Sequence, residues 1–260
     1  MNRQSIFRAE KGEKMTAITS TVQSKKEYRS TEWAGLYKLG AITSLLILCT
    51  ALLEILITFL PGGYASAETV VDWFNLLQDH WFLGLRNLGL LNIVMTALSI
   101  PMLLALCMAH WKVNAKYSAL ATIISFMGIA VFYATNRAFA MWDLSTQYAV
   151  ANTDAQRAVL EAAGQALLAV GQSHTPGTFI GFCLSEVAGI LISFVMLRGG
   201  IFSKLTAYTG ILGFGLLLVY EICQSFVPAL LGIALIFAMI GGLLNLVYYG
   251  LIAHRLFRLD

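Results

Sequence analysis

Apolar residues in this chain gather into long unbroken runs, with polar and charged residues confined mostly to the gaps between them. The runs cover about 37–60, 82–108, 117–140, 176–198, 205–226 and 231–254. Each is long enough for a helix that crosses a bilayer, which takes ~20 apolar residues. Breaks in the pattern carry the usual punctuation. Pro61-Gly62-Gly63 stops the first run, and the second continues past Pro101 as a tolerated kink. His110, Trp111, Lys112 and Lys116 turn it into the third. Pro176 opens the fourth, Gly199-Gly200 and Lys204 lead into the fifth, and Pro228 separates the fifth from the sixth. Ala65-Ser66-Ala67 has the small residues of a signal-peptidase site. The run before it exceeds the ~7–15 residues of a signal h-region, so a retained transmembrane helix is expected.

Two of the gaps have helical periodicity of their own. Val70, Phe74, Leu77 and Trp81 form one apolar stripe over 67–81, opposite Glu68, Asp72 and Asp79. Such a helix would lie along the membrane surface with Trp73 and Trp81 at headgroup level. The stretch 141–175 is too polar to span, and Thr153 to Gln156 has capping-box spacing, which predicts a surface helix over about 154–170. Residues 1–35 are polar and mixed in charge, a disordered tail ahead of a membrane domain of 36–260. Lys25, Lys26 and Arg29 hint at a lipid-binding patch there, but Glu10, Glu13, Glu27 and Glu32 interleave with the cations.

Composition sharpens the class. Hydrophobic residues make up 58% of the chain and charged residues 12%, about half the charge of an ordinary soluble domain. The net charge of +3 is no nucleic-acid signal, because the cations flank apolar runs. With the N-terminus inside, fourteen of the seventeen Lys and Arg fall on the inner side, and only Arg86, Arg137 and Arg157 fall outside. The positive-inside rule thus predicts a multi-pass cell-membrane protein with both termini cytoplasmic. Three spans on each side of the long outer loop would be inverted relative to one another, as in many transporters, yet no residue pattern repeats between the halves.

Helices in lipid associate through small and polar residues rather than through burial of apolar surface. Gly177, Gly181, Ser185, Gly189 and Ser193 recur every four residues along the fourth run. That groove suits close packing, either within the chain or with a partner helix or second copy. Arg86, Gly89, Asn92, Thr96 and Ser99 give the second run a comparable face, as do Ala234, Ala238, Gly241, Asn245 and Tyr249 in the sixth.

Three acids, Glu54, Glu186 and Glu221, lie inside the runs. At 1.5 Å rise per residue, Glu54 and Glu221 fall roughly 8–9 Å below the outer end of their helices, level with Arg86 and Arg137. Intramembrane ionisable groups cost ~2.5–3.5 kcal/mol even on lenient scales, so they face partners or water. The expectation is an outward-facing cluster of Glu54, Arg86, Asn136, Arg137 and Glu221, with Asn92 and Glu186 beneath it. Arg86 and Arg137 would meet an anion or carboxylate. A protonatable carboxyl at the depth of Glu186 suits proton coupling or binding of a cationic solute. The bland reading is a set of ion pairs that lock helix ends together.

No H-x-x-x-H, H-E-x-x-H, G-x-S-x-G, P-loop or dinucleotide fingerprint occurs, and the four cysteines form no C-x-x-C pair. No metal, cofactor or catalytic residue is assigned. Ser145, His174 and Asp143 form the one nucleophilic set an outer loop offers, and residues this common meet often by chance.

The chain resembles a bacterial and archaeal family of six-helix membrane proteins known only as a domain of unknown function. The resemblance rests on N-R-A-F-A-M-W-D-L-S-T-Q-Y-A (Asn136 to Ala149), A-A-G-Q-A-L-L-A (Ala162 to Ala169), S-F-V-M-L-R (Ser193 to Arg198) and I-F-S-K-L-T-A-Y-T-G-I (Ile201 to Ile211). It covers roughly 37–254 and implies the topology, with no activity attached. Run pattern and resemblance agree on an all-α polytopic bundle of six transmembrane helices with two outer amphipathic helices. The function expected of it is a small-solute or proton-linked transporter with an outward-facing pocket. A non-catalytic sensor or complex-stabilising protein is the alternative, and an intramembrane lipid enzyme is a more distant third.

Overall fold

The computed structural model describes residues 33–58 and 67–259. The tail before Trp33 and the stop at Pro61-Gly62-Gly63 lie outside the described residues. The described chain is helical throughout. In order it forms α1 (Trp33–Thr58), α2 (Val70–Asp79), α3 (Trp81–Asn87), α4 (Leu90–Thr135), α5 (Ala138–Ala149), α6 (Asp154–Gly171), α7 (Phe179–Gly199), α8 (Lys204–Phe226) and α9 (Leu231–Leu256). A single 3-10 turn, Pro228–Leu230, joins α8 to α9. Five helical stretches are long and apolar enough to cross a membrane: α1, the α4–α5 stretch, α7, α8 and α9.

The 46 residues of α4 do not form one rod. Asn114 leaves the helical region (φ −154°, ψ 63°), and residues far apart in sequence meet across it. Tyr133 Oη donates to the Ile93 carbonyl at 3.2 Å, and Asn136 Nδ2 donates to the Leu88 carbonyl at 3.0 Å. In a continuous helix 40 residues would separate such groups by ~60 Å. The helix therefore folds back on itself as two antiparallel arms, before and after Asn114. The turn expected over 110–116 contracts to that one residue, since both arms stay helical up to it.

The arms, α1, α7, α8 and α9 share one core containing Ile47, Leu106, Met196 and Tyr248. Their contacts are close because small residues line them. A Cβ at Gly181 would lie 3.2 Å from the Phe132 backbone, and one at Gly128 2.8 Å from Ser185 Oγ. Gly189 faces the Phe214 ring of α8. The stripe from Gly177 to Ser193 is thus filled by α4, α6 and α8 of the same chain, and a partner helix could use it only by displacing them. Elsewhere the bundle turns large apolar side chains outward: Leu46, Leu53 and Leu56 on α1, and Ile236, Met239 and Leu243 on α9. An apolar belt of this extent would be a liability in water and is the ordinary surface of a helix in lipid.

Where the run pattern predicts two short helices, four are present. They gather into a second core of Val70, Trp73, Phe74, Leu77, Leu85, Met141 and Leu168, a cap at the end of the bundle where α1 finishes and α7 begins. The second run breaks at Gly89 (φ +95°), a left-handed position that only glycine takes without strain, so Trp81–Asn87 becomes a separate helix. The third run ends at Thr135 rather than near residue 140, because Asn136 takes an extended conformation and its Oδ1 accepts from the Ala138 N–H to start α5. The helix predicted over 67–81 ends at Asp79. Trp73 is buried in the cap core instead of lying on the surface, whereas Trp81 is exposed and stacks on Trp142. Thr69 and Asp72 form a full capping box at the start of α2. At α6, Thr153 caps Gln156 as the spacing predicts, but Gln156 returns its bond to Asn152.

Candidate functional site

The seven polar residues expected to converge are divided by the fold among three places. Arg86 lies in the last turn of α3 and is only 5% exposed. Its Nη2 stands 2.7 Å from Glu54 Oε1 and also donates to the Glu54 carbonyl at 3.1 Å and to the Thr58 hydroxyl, while Nη1 donates to Asn87 Oδ1 at 2.9 Å. The guanidinium is committed to the final turn of α1, which it fastens to the cap. This is the helix-locking pair of the bland reading.

Asn136 and Arg137 occupy the junction between α4 and α5. Asn136 bridges the two chain breaks, donating to Leu88 on one side and accepting from Ala138 on the other. Arg137 Nη1 donates to the Asn136 carbonyl at 3.3 Å, and its stem packs where a Cβ on Gly171 would go. Among the described residues Arg137 makes no ion pair. Neither arginine meets Glu221.

The third place is a cavity of about 300 Å³ inside the bundle, walled by both arms of α4, α1, α7, α8 and α9. Of the seven residues it takes Asn92, Glu186 and Glu221, and none of the others. The three come from the first arm of α4, from α7 and from α8. Because α7 begins at Phe179 and not at Pro176, Glu186 lies only ~10 Å from the cap end, close to the depth of Glu221 at ~8 Å. The two acids therefore share one level, with Glu186 above the middle of its helix.

His174, Asn245 and Tyr249 also line this cavity. His174, in the loop before α7, lines it, and its Nδ1–H donates to Glu221 Oε1 at 2.6 Å. Its ring stacks on Phe182 at 4.7 Å and stands 5.2 Å from Tyr220. The His174 backbone is left-handed (φ 60°), costly for a residue with a Cβ and held here by the packing of its ring. The side chain of His174 is 33% exposed and that of Glu221 3%, so the imidazole stands between the cavity and the surface at the cap end. Asn245 and Tyr249 of α9 contribute to the wall as well. Their spacing of four on a polar stripe was visible in the sequence as a packing face. Nothing in the sequence pairs His174 with an acid 47 positions away.

Ser145 is fully buried in the cap, where it accepts from Gln78 Nε2 at 3.0 Å and donates to the Trp142 carbonyl at 2.8 Å. His174 is engaged with Glu221, so Ser145, His174 and Asp143 do not form a nucleophilic set. Among the described residues no group of three His, Cys, Asp or Glu could hold a metal ion.

The chain matches no protein-family model, and neither a curated protein nor a solved structure is similar to it. The site is accordingly read from its own geometry. Among the described residues that geometry defines an all-helical protein with helices fit to cross a membrane and a cavity lined by two carboxyls, an imidazole and three phenols.

Proposed function

We propose that the chain is a six-span cell-membrane protein with both termini cytoplasmic, and that it carries a small solute across the bilayer, linked to proton movement. The hairpin of α4 supports six crossings, since it supplies two antiparallel segments in place of one. Orientation rests on Lys112, Lys116, Arg198, Lys204, Arg255 and Arg258, which all belong to the bundle end opposite the cap. The cap then faces outward, and the cavity reaches that side at His174.

One observation carries the transport reading. Glu186 and Glu221 line a single cavity in the middle of the bundle, and Glu186 forms no ion pair among the described residues. Glu54 is matched by Arg86 and Glu221 by His174, so Glu186 is the acid that helix locking does not account for. An acid kept inside the membrane at a cost of ~2.5–3.5 kcal/mol, facing open volume, marks a solute or proton path. Glu186 takes the role of the residue that exchanges a proton, and Glu221 with His174 that of the outer door.

Proton movement into pyranine-loaded proteoliposomes tests this under an imposed pH gradient, with and without panels of small amines, amino acids and carboxylates. Glu186→Gln should abolish solute-dependent flux while the amount of folded protein stays the same. Flux of wild-type size in that variant defeats the assignment.

A further inference from the structure

Glu186 (9% exposed), Glu221 (2%) and Asn245 (7%) each line the cavity and each keep one oxygen buried without a partner among the described residues: Glu186 Oε2, Glu221 Oε2 and Asn245 Oδ1. Asn245 Oδ1 accepts, and so does each carboxyl oxygen when its group is ionised. Buried polar groups are generally hydrogen-bonded, so ionised acids with open acceptor atoms beside a cavity suit a ligand that brings donors. The walls between them are largely apolar and carry the rings of Phe182, Tyr220 and Tyr249. Aromatic faces attract cations and are indifferent to anions at best. Neither arginine reaches the cavity to favour an anion.

His174 already shows what such a seat holds. Its imidazole bonds Glu221 Oε1 at 2.6 Å, with Phe182 stacked on one side and Tyr220 beside it. A flat, N–H-bearing group that can carry positive charge thus occupies the acid-plus-aromatic position at the cavity mouth. We propose that the cavity takes a small organic amine in its ammonium form, and that His174 is a tethered stand-in which the amine displaces from Glu221. The inference rests on the transport reading only in taking the cavity as a solute site. A volume of about 300 Å³ is at the small end for ligand sites, which sets the ligand at the size of a simple amine.

Isothermal titration of the purified full-length protein in detergent micelles tests this with benzylammonium, benzyl alcohol and benzoate, which share a ring and differ in charge. Heats from empty micelles are subtracted. Benzylammonium should bind about tenfold or more tighter than the other two, the size of one charge-assisted hydrogen bond. Glu221→Gln and Glu186→Gln should each remove that preference, Glu161→Gln in the cap should leave it, and His174→Ala should tighten amine binding. Equal binding of the amine and the alcohol, a preference for benzoate, or binding of sodium or potassium without benzylammonium overturns the amine assignment. Weaker amine binding in His174→Ala overturns the displacement. If the glutamine variants fail to fold, the wild-type charge series still decides. Amine binding without flux would remove transport and leave this inference, and flux without an amine preference would do the reverse.

Discussion

Replacing Arg86 by Met keeps the length of the stem and removes the charge that fastens α1 to the cap. The contacts of the guanidinium include the Glu54 carboxylate, the Glu54 carbonyl, the Thr58 hydroxyl and Asn87 Oδ1. Removing one member of a buried, hydrogen-bonded pair costs ~3–5 kcal/mol, because the remaining partner loses its counter-charge. Here the lower end applies. The Glu54 side chain is 36% exposed and rehydrates, and Thr58 keeps its bond to the Glu54 carbonyl at 2.8 Å. A loss of ~3 kcal/mol is a factor of about 100 in the unfolding equilibrium. Glu54→Gln should cost about 1 kcal/mol, since the carbonyl, hydroxyl and amide contacts of Arg86 survive. Arg86→Lys should recover little, because an ammonium cannot make the forked contacts of a guanidinium. Denaturant unfolding in mild detergent, followed by tryptophan fluorescence, measures all three. If Arg86→Met is as stable as wild type, or Glu54→Gln is the worse of the two, the clamp is not what joins α1 to the cap.

Two further outcomes follow from the packing and from the cap. Gly181→Leu should lower the yield of folded protein, since its Cβ already meets the Phe132 backbone at 3.2 Å and a larger group must part α7 from α4. Size-exclusion chromatography should show loss of the folded peak without a new assembly size, and a clean shift in assembly would contradict the internal packing of that stripe. Asp72 is held below the ordinary carboxylate value of 3.8, first by the Thr69 hydroxyl and then by the Thr69 backbone N–H. A lowered acid stabilises the fold fully above its unfolded value and loses that effect as pH falls through the lowered one. Hydrogen exchange in α2 should therefore speed up as pH drops below about 4, beyond the intrinsic rate change, and Asp72→Asn should remove that extra step.

Much of the fold was legible because bilayer-length apolar runs leave little choice of structure. Each of the six runs is mostly helix over its described residues, and the small-residue face of the fourth run packs as a close contact. Boundaries failed where a single backbone conformation decided them. Gly89 and Asn136 lie inside or beside apolar sequence, and hydropathy does not register a positive φ or an extended residue. The cap was underestimated for a related reason: α3 and α5 are continuous in hydropathy with the runs they adjoin, and only those two breaks reveal them. Depth along each helix put Glu54 and Arg86 at one level within a larger cluster, and these two meet in the fold. It failed for Glu221, because depth ranks residues by level and is blind to which side of a helix they occupy.

That last failure changes the chemistry expected of the centre. Grouped by level alone, two arginines and two glutamates look like a mixed site able to greet an anion. In the fold, Arg86 spends its donors on the end of α1, and Arg137 stays at the α4–α5 junction. What remains around the cavity is Glu186, Glu221 and an imidazole already turned toward one of them. The net sign of a buried site follows from which charges reach it, and no arginine or lysine lines this cavity. A cavity left with acids and aromatic faces attracts positive charge at its mouth and penalises negative charge within. The arginines therefore define the site by their absence from it, and the loop before α7 supplies the imidazole that meets Glu221.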